Sequence, residues 1–182
     1  MQKVAFITGC STGIGREMAL QLLEKGWKVV ATARNPETLT ALEKVGCLAL
    51  QLDVTDHTQI LEAVREAVRV FGQIDLLINN AGYGLIAPTM DISPKKLEQQ
   101  LRTNVSGVIS LIQEIAPVMK AQGGGTIVNT GSISGIAPTP FSGAYCASKA
   151  ALHAWSDVLR MELSPFNIKV ITLQPGGIVT DF

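Results

Sequence analysis

Short runs of apolar and often β-branched residues alternate along the chain with longer segments in which apolar residues recur at helical spacing. The short runs are apolar at successive positions, which is typical of parallel strands buried on both faces. Strands are predicted over residues 3–8, 28–33, 47–52, 74–79, 126–131 and 168–173, and helices over residues 13–25, 36–44, 57–71, 94–121 and 144–164. Right-handed crossovers between such elements give an α/β fold, in which a doubly wound parallel sheet lies between two helical layers.

Prolines and glycines mark several of the predicted helix boundaries. Pro36 and Pro94 stand near helix N-termini, and Gly26 and Gly72 follow helix C-termini. Pro117 lies inside the fourth predicted helix, which it is expected to kink or end. Ligands of a doubly wound sheet bind beyond the carboxyl ends of its strands, so functional residues are expected in the loops that follow the strands.

The composition fits a single domain and excludes several kinds of partner. A chain of 182 residues with 47% apolar content can fill one core. Lys plus Arg and Asp plus Glu number 15 each, so no basic field is present to attract nucleic acid or an anionic membrane surface. No apolar run has the length of a transmembrane segment, and no signal-peptide pattern precedes the first strand.

The three cysteines, Cys10, Cys47 and Cys146, indicate a reducing compartment rather than a metal site. They share no metal-ligand spacing, so no metal is predicted. An odd number of cysteines suits free thiols, and a cytoplasmic location is therefore expected.

A glycine-rich loop follows the first predicted strand and leads into the first helix. Gly9 permits a tight turn, Gly13 lets the backbone approach a pyrophosphate, and Gly15 allows close packing of the helix. The N-terminus of that helix supplies N–H donors to an anion. We interpret the loop as a phosphate cradle, with predicted contacts at Gly9, Ser11, Thr12, Gly13, Ile14 and Gly15.

The spacing Thr-Gly-x-x-x-Gly-Ile-Gly resembles the cofactor motif of the short-chain dehydrogenase/reductase family, and the resemblance to its single-domain branch extends over the whole chain. It implies a Rossmann fold that binds a nicotinamide dinucleotide. Asp53 and Val54 match the adenine contact of the family. Asn80, Ala81 and Gly82 lie in its Asn-Asn-Ala-Gly turn, and Pro175, Gly176 and Thr180 match the segment that touches the nicotinamide carboxamide. The further cofactor contacts that the resemblance implies are Asp53, Val54, Asn80, Ala81, Gly82, Pro175, Gly176 and Thr180.

The catalytic residues of that family also have counterparts in this sequence. Tyr145 and Lys149 match its Tyr-x-x-x-Lys pair, Ser132 matches its catalytic serine, and Asn104 matches its proton-relay asparagine. Residues at i and i+4 share a helix face, so the ammonium can favour the phenolate form of the tyrosine.

The resemblance implies a role for each of these four residues. Reduction of a carbonyl builds negative charge on its oxygen, which needs a proton donor and a hydrogen bond. Tyr145 would give the proton and Ser132 would bond the oxygen. Lys149 would also bond the nicotinamide ribose, so that Tyr145 and Lys149 count as cofactor contacts, and Asn104 would position a water between Lys149 and solvent.

The end of the second predicted strand bears on the choice of dinucleotide. Arg34 stands about twenty residues past the glycines, where an NAD enzyme places an acid on the ribose hydroxyls. No acid is there, and Arg34 can instead pair with a 2′-phosphate. NADP(H) is therefore predicted in preference to NAD(H).

The predicted function is hydride transfer between a nicotinamide and the carbonyl or alcohol group of a small molecule. The alternative is a relative that binds the nucleotide and regulates a partner without chemistry, although such a sensor has no need of the Tyr145–Lys149 pair. Sugar-nucleotide epimerases share that pair but usually have another glycine spacing and a longer chain. Residues 8–11, the start of the helix at Tyr145 and residues 138–141 resemble the branch that handles retinoids, hydroxysteroids and acyl-dihydroxyacetone phosphate, which implies an apolar or lipid-like substrate.

Two further expectations concern the surroundings of the site. His153 is interpreted as a packing or subunit-contact residue, and the resemblance implies a homodimer or homotetramer packed through helices 94–121 and 144–164. Residues 168–173 would form an apolar sheet edge, which proteins normally pair or shield. We therefore expect the chain to be the amino-terminal part of a longer one that adds a C-terminal strand and a substrate lid, the alternative being a partner subunit that covers this edge.

Overall fold

The computed structural model describes residues 2–178 and contains a parallel sheet with strand order β3-β2-β1-β4-β5-β6. The strands are β1 (Val4–Ile7), β2 (Lys28–Ala33), β3 (Leu48–Gln51), β4 (Leu76–Asn79), β5 (Gly125–Thr130) and β6 (Ile168–Leu173). The direction of winding reverses between β1 and β4, which is where a doubly wound sheet opens a crevice for a ligand. The predicted α/β class is confirmed.

Helices cover both faces of this sheet. They are α1 (Gly13–Glu24), α2 (Thr40–Lys44), α3 (His57–Phe71), α4 (Pro94–Leu101), α5 (Gly107–Ala121) and α6 (Gly143–Leu163). One core cluster joins α1 and α2 to one face of the sheet, and the other joins α3, α5 and α6 to the opposite face. The apolar positions of a buried parallel strand alternate between these two cores, which explains the continuous apolar runs in the sequence.

The long helix predicted over residues 94–121 is interrupted, which corrects the sequence-based boundary. After α4 the chain makes a wide π-helical turn over Arg102–Ser106 before α5 begins. Of the two effects expected of Pro117, a kink or an end of the helix, the end is wrong, because α5 continues through Pro117 to Ala121. The proline removes one backbone hydrogen bond, and the buried side chains of Leu111, Ile115 and Met119 hold α5 on the sheet around it.

Local sequence signals account for other boundaries. Asp56 caps α3, since its Oδ1 accepts the N–H groups of Thr58 and Gln59, and Gly72 ends α3 in the left-handed conformation at φ 77°. The helix predicted from residue 36 begins as a 3₁₀ turn, Pro36–Leu39, before α2. Among residues 2–178, no helix combines the length and the apolar character that crossing a membrane requires.

Candidate active site

The loop between β1 and α1 is shaped by glycine conformations that other residues rarely adopt. Gly9 has φ 72° and Gly13 has φ 58°, both in the left-handed region. A Cβ at Gly15 would overlap the Gly9 carbonyl and lie 2.5 Å from Asn80 Nδ2. The three predicted glycines are therefore needed for the path of the loop and for the approach of α1.

The N-terminus of α1 presents unpaired donors at this loop. Thr12 occupies the N-cap position, but its side chain makes no capping hydrogen bond, and the first turn of α1 contains no acidic residue. Backbone N–H groups in this position attract an anion. Ser11 and Ile14 are half-buried beside the exposed Thr12. These features fit the pyrophosphate of a dinucleotide.

A second loop, which follows β4, is fastened to the glycine loop. Thr8 Oγ1 accepts the N–H groups of Asn80 and Ala81 at 3.0 and 2.9 Å, and Asn80 Nδ2 donates to the carbonyls of Thr8 and Gly9 at 3.0 and 3.1 Å. Asn80 was predicted as a cofactor contact, and in the structure the hydrogen bonds of its side chain connect the two loops. Thr8 was not predicted, although its position before Gly9 in the glycine motif was a usable signal.

The predicted adenine and ribose contacts lie at the ends of β2 and β3. Arg34 follows β2 directly and is exposed, and its carbonyl accepts a hydrogen bond from Gln51 Nε2 at 3.2 Å. Asp53 Oδ1 accepts the N–H and the hydroxyl of Thr55 at 2.9 and 2.8 Å, which fixes the turn after β3. The side chain of Val54 is buried in the core, so a contact of this residue with a ligand would fall to its backbone.

Asn104 lies in the π-helical turn and is 1% exposed. Its Oδ1 accepts the Tyr83 N–H at 3.2 Å, and its Nδ2 donates to the Tyr83 carbonyl at 2.9 Å and to Ser148 Oγ at 3.1 Å. The extra residue of a π turn shifts the following side chains by about 100° around the helix, and such turns are frequent at functional sites. Asn104 thus joins the loop after β4 to the second turn of α6.

Lys149 is buried beneath the carboxyl end of β5. Its Nζ donates to the Thr130 carbonyl at 2.6 Å and lies 5.6 Å from the centroid of the Tyr145 ring, which is half-buried. Burial lowers the pKa of the Lys149 ammonium to about 8. Neither of the two ion pairs found among residues 2–178 includes Lys149. A Cβ at Gly82 would be 3.9 Å from the ammonium and 3.1 Å from Asn104 Oδ1, so the three residues converge.

Ser132 follows β5 and is held by both its backbone and its side chain. Its N–H donates to His153 Nε2 at 3.2 Å, and its Oγ accepts the Ser134 N–H at 3.1 Å. The hydroxyl uses a lone pair in this contact, so its own hydrogen can be donated to another oxygen. His153, which the sequence interpretation assigned to packing or a subunit contact, lies one helical turn beyond Lys149 and touches the loop that carries Ser132.

The segment after β6 carries the last predicted contacts. The Pro175 carbonyl accepts the Ile133 N–H at 3.1 Å, which brings this segment next to the Ser132 loop. Gly176 is exposed. Thr180 lies outside the described residues.

The three cysteines of the chain are buried free thiols. Burial raises the pKa of the Cys10 thiol to about 12 and that of the Cys47 thiol to about 11, so both stay protonated and unreactive at neutral pH. Cys146 is buried with its Sγ 3.3 Å from Ser142 Oγ. Within residues 2–178, no group of three or more His, Cys, Asp or Glu side chains is arranged to hold a metal ion.

Comparison with known proteins gives the site a family context. A family model described as short chain dehydrogenase matches residues 3–182. An oxidoreductase of Escherichia coli K12, YbbO, is 40% identical over 100% of this chain and 68% of its own length. The NADPH-dependent 1-acyldihydroxyacetone phosphate reductase of Schizosaccharomyces pombe is 41% identical over 98% of this chain and 61% of its own. Among solved structures, a 3-ketoacyl-(acyl-carrier-protein) reductase of Brucella melitensis complexed with NADH superposes with a TM-score of 0.95 at 30% identity, covering 98% of this chain and 77% of that one.

Proposed function

The chain belongs to the short-chain dehydrogenase family, and on that premise we propose that it is an NADP(H)-dependent oxidoreductase that transfers a hydride between the nicotinamide and a carbonyl or alcohol group. The single observation that carries the proposal is the buried Lys149 ammonium beside the Tyr145 ring, at the carboxyl end of β5. A buried lysine with no carboxylate partner destabilises the fold, so its presence points to a chemical role.

The four polar residues of the site divide the reaction between them. The nicotinamide, when bound, supplies a hydride to the carbonyl carbon or accepts one from the alcohol carbon. In the direction of reduction, Tyr145 gives its phenolic proton to the carbonyl oxygen, so that one hydride and one proton complete the alcohol. Ser132 donates a hydrogen bond to the same oxygen as its charge develops. The Lys149 ammonium stabilises the tyrosinate that remains until a proton returns from solvent.

Asn104 supports Ser132, Tyr145 and Lys149 by connecting the loop after β4 to α6. Its side chain binds the Tyr83 backbone and Ser148, and Ser148 Oγ donates in turn to the Tyr145 carbonyl at 2.7 Å. The placement of Asn104 therefore sets the distance between the loop after β4 and the first turn of α6. We propose that it also orders the water through which Lys149 exchanges protons.

The preference for NADP(H) rests on Arg34. Replacement of Arg34 by Ala should raise the dissociation constant of NADPH by about 10- to 100-fold, the range expected for a charge-assisted hydrogen bond to phosphate, and should change that of NADH much less. Fluorescence titration with both dinucleotides measures the difference. Arg65→Ala, which removes an exposed arginine from α3, is the matched control. Tighter binding of NADH than NADPH by the unmodified protein would remove the proposed preference, which matters because the relative from Brucella melitensis is complexed with NADH.

The proposal of an apolar or lipid-like substrate is supported by the loops around the cleft. Large apolar side chains are exposed on the loops after β4 and β5, and they are Ile86, Met90, Ile133, Ile136 and Phe141. The Ala87 N–H donates to the Phe141 carbonyl at 2.8 Å, which ties the two loops together. Apolar side chains exposed on the loops at the ligand-binding end of the sheet favour apolar ligands. The acyl-dihydroxyacetone phosphate reductase among the relatives is consistent with that substrate class.

A series of methyl ketones with increasing alkyl chains tests the substrate class. We expect kcat/KM with NADPH to rise about fourfold for each added methylene over the first several, because each buried methylene is worth about 0.8 kcal/mol. Ile136→Asn should flatten the slope of this series without affecting NADPH binding. A constant kcat/KM along the series would exclude an apolar subsite, and the absence of turnover with every carbonyl compound would favour the alternative of a nucleotide-binding sensor.

We also propose a single dinucleotide-binding domain over residues 1–182, as the chain length indicates, and a cytoplasmic location, as the odd number of cysteines indicates. Assembly into a homodimer or homotetramer is proposed from the family resemblance. Light scattering of the purified protein measures the assembly directly.

A further inference from the structure

His153 occupies a slot that two glycines leave open on the loop after β5. A Cβ at Gly131 would overlap His153 Nε2 and lie 2.7 Å from its Cδ2, and a Cβ at Gly135 would lie 2.6 Å from Cε1 and 2.8 Å from Nδ1. The imidazole therefore fits between the residue before Ser132 and the end of the short 3₁₀ turn Ile133–Gly135 that follows it. Only glycine at both positions gives the ring this room.

The contact with Ser132 fixes the protonation state that the ring needs. The Ser132 N–H donates to His153 Nε2 at 3.2 Å, and an imidazole nitrogen accepts a hydrogen bond only when it carries no proton. The neutral ring must therefore hold its proton on Nδ1. A protonated ring would present an N–H to the Ser132 N–H, and the two donors would repel each other.

We propose that His153 is a positioning residue that holds the Ser132 loop in its reactive geometry through the neutral imidazole, and that protonation of His153 releases the loop and lowers turnover. The expected effect of His153 on turnover rests on the proposed function. The hydrogen bond to the Ser132 backbone stands apart from that function and can be measured without any reaction.

The surroundings of the ring decide the direction of its response to pH. The charged groups that act on it are Lys149 and Asp157, both on α6, whereas the loop after β5 contributes Gly131, Ser132 and Gly135, and β6 contributes the Leu173 carbonyl next to Gly131. Partial burial and the Lys149 ammonium lower the pKa of His153 below its ordinary value of 6.5, against the opposite effect of Asp157. The neutral ring is thus the form present at neutral pH, and the Ser132 contact is lost as the pH falls through the lowered pKa.

Three variants separate this role from simple packing. His153→Gln keeps an acceptor, the amide oxygen, that does not titrate, so kcat at neutral pH should stay within about threefold and the fall of kcat below pH 6.5 should disappear. His153→Leu removes the acceptor, so kcat should fall about tenfold at every pH, with the affinity for NADPH unchanged. In a Ser132→Ala background, the His153→Leu change should have little further effect, because its action passes through Ser132.

Nitrogen NMR of the imidazoles gives a readout that needs no turnover. The chain has two histidines, and His57 is exposed at the start of α3, so a His57→Gln sample leaves only the signals of His153. We expect an unprotonated Nε2 and a protonated Nδ1 at neutral pH, with a titration midpoint below 6.5.

The outcomes decide the inference and the proposed function separately. A neutral ring protonated on Nε2, an acid limb that persists in His153→Gln, or full turnover in His153→Leu would each overturn the positioning role. Circular dichroism at each pH excludes loss of fold as the cause of a change in rate. If no variant and no unmodified sample turns over any carbonyl, the proposed function fails, and the NMR pattern alone then decides whether His153 holds the Ser132 backbone.

Discussion

Replacement of Tyr145 by Phe is expected to lower kcat for carbonyl reduction by about a thousandfold or more, because the variant loses the only proposed proton donor to the carbonyl oxygen. The phenyl ring keeps the half-buried packing of Tyr145, and the Lys149 ammonium keeps an aromatic ring 5.6 Å away. The dissociation constant of NADPH should therefore change by less than about threefold. Stopped-flow turnover and fluorescence titration on the same sample measure the two quantities.

The second tyrosine of the chain provides the comparison for this variant. Tyr83 holds Asn104 and Gln100 through its backbone, as its carbonyl accepts from Asn104 Nδ2 at 2.9 Å and from Gln100 Nε2 at 2.6 Å. Tyr83→Phe leaves these contacts in place, and its loss of turnover should stay under about tenfold. Equal losses in the two variants, or retained turnover in Tyr145→Phe, would remove Tyr145 from the role of proton donor.

The sheet and most helix positions were predictable from the sequence because each strand is a continuous apolar run between polar loops. In the clearest case, residues 28–33 and 168–173 coincide with β2 and β6 as the structure has them. Right-handed crossovers then leave few possible strand orders. The glycine loop was equally predictable, since positive φ at Gly9 and Gly13 and the tight contact at Gly15 demand glycine whatever the rest of the fold.

The π-helical turn at Arg102–Ser106 was not predictable from residue type. Its sequence has no proline and no glycine that would interrupt a helix, so helical periodicity continues through it. What stabilises the wide turn is tertiary: Arg102 Nη2 donates to the Thr55 carbonyl at 3.1 Å, and Asn104 bonds to Tyr83 and Ser148. These partners are distant in sequence, and local propensity carries no information about them.

The contact between His153 and the Ser132 backbone was not predicted, although a signal existed. His153 stands four residues after Lys149, and the same i, i+4 spacing was used to bring Tyr145 and Lys149 to one face of α6. The spacing predicted the face, but the partner of the imidazole is a backbone N–H on another element, at Ser132. A side chain that binds a backbone group leaves no complementary residue type in the sequence to be recognised.

Lys149→Met is expected to abolish most turnover and to stabilise the folded protein at neutral pH. The loss of the ammonium beside Tyr145 should lower kcat about a hundredfold or more, since Lys149 is the cation proposed to stabilise the tyrosinate. The lowering of the Lys149 pKa from 10.5 to about 8 corresponds to a penalty of about 3 kcal/mol for keeping the charge buried in the folded state. The lost hydrogen bond to the Thr130 carbonyl offsets about 1 kcal/mol of the gain.

The dependence of this stabilisation on pH identifies its cause. Between pH 8 and 10.5 the unfolded chain retains the Lys149 proton while the folded protein has released it, so the free energy of unfolding of the unmodified protein rises with pH. The Met variant has no such proton, and its advantage of about 2 kcal/mol at pH 7 should therefore shrink through this window. Urea unfolding at pH 7, 8.5 and 10 measures the advantage, and Lys95→Met, which removes an exposed lysine from α4, should show none at any pH. If the Lys149→Met variant is less stable than the unmodified protein at pH 7, the buried ammonium strengthens the fold. Its burial would then no longer be an argument for a chemical role.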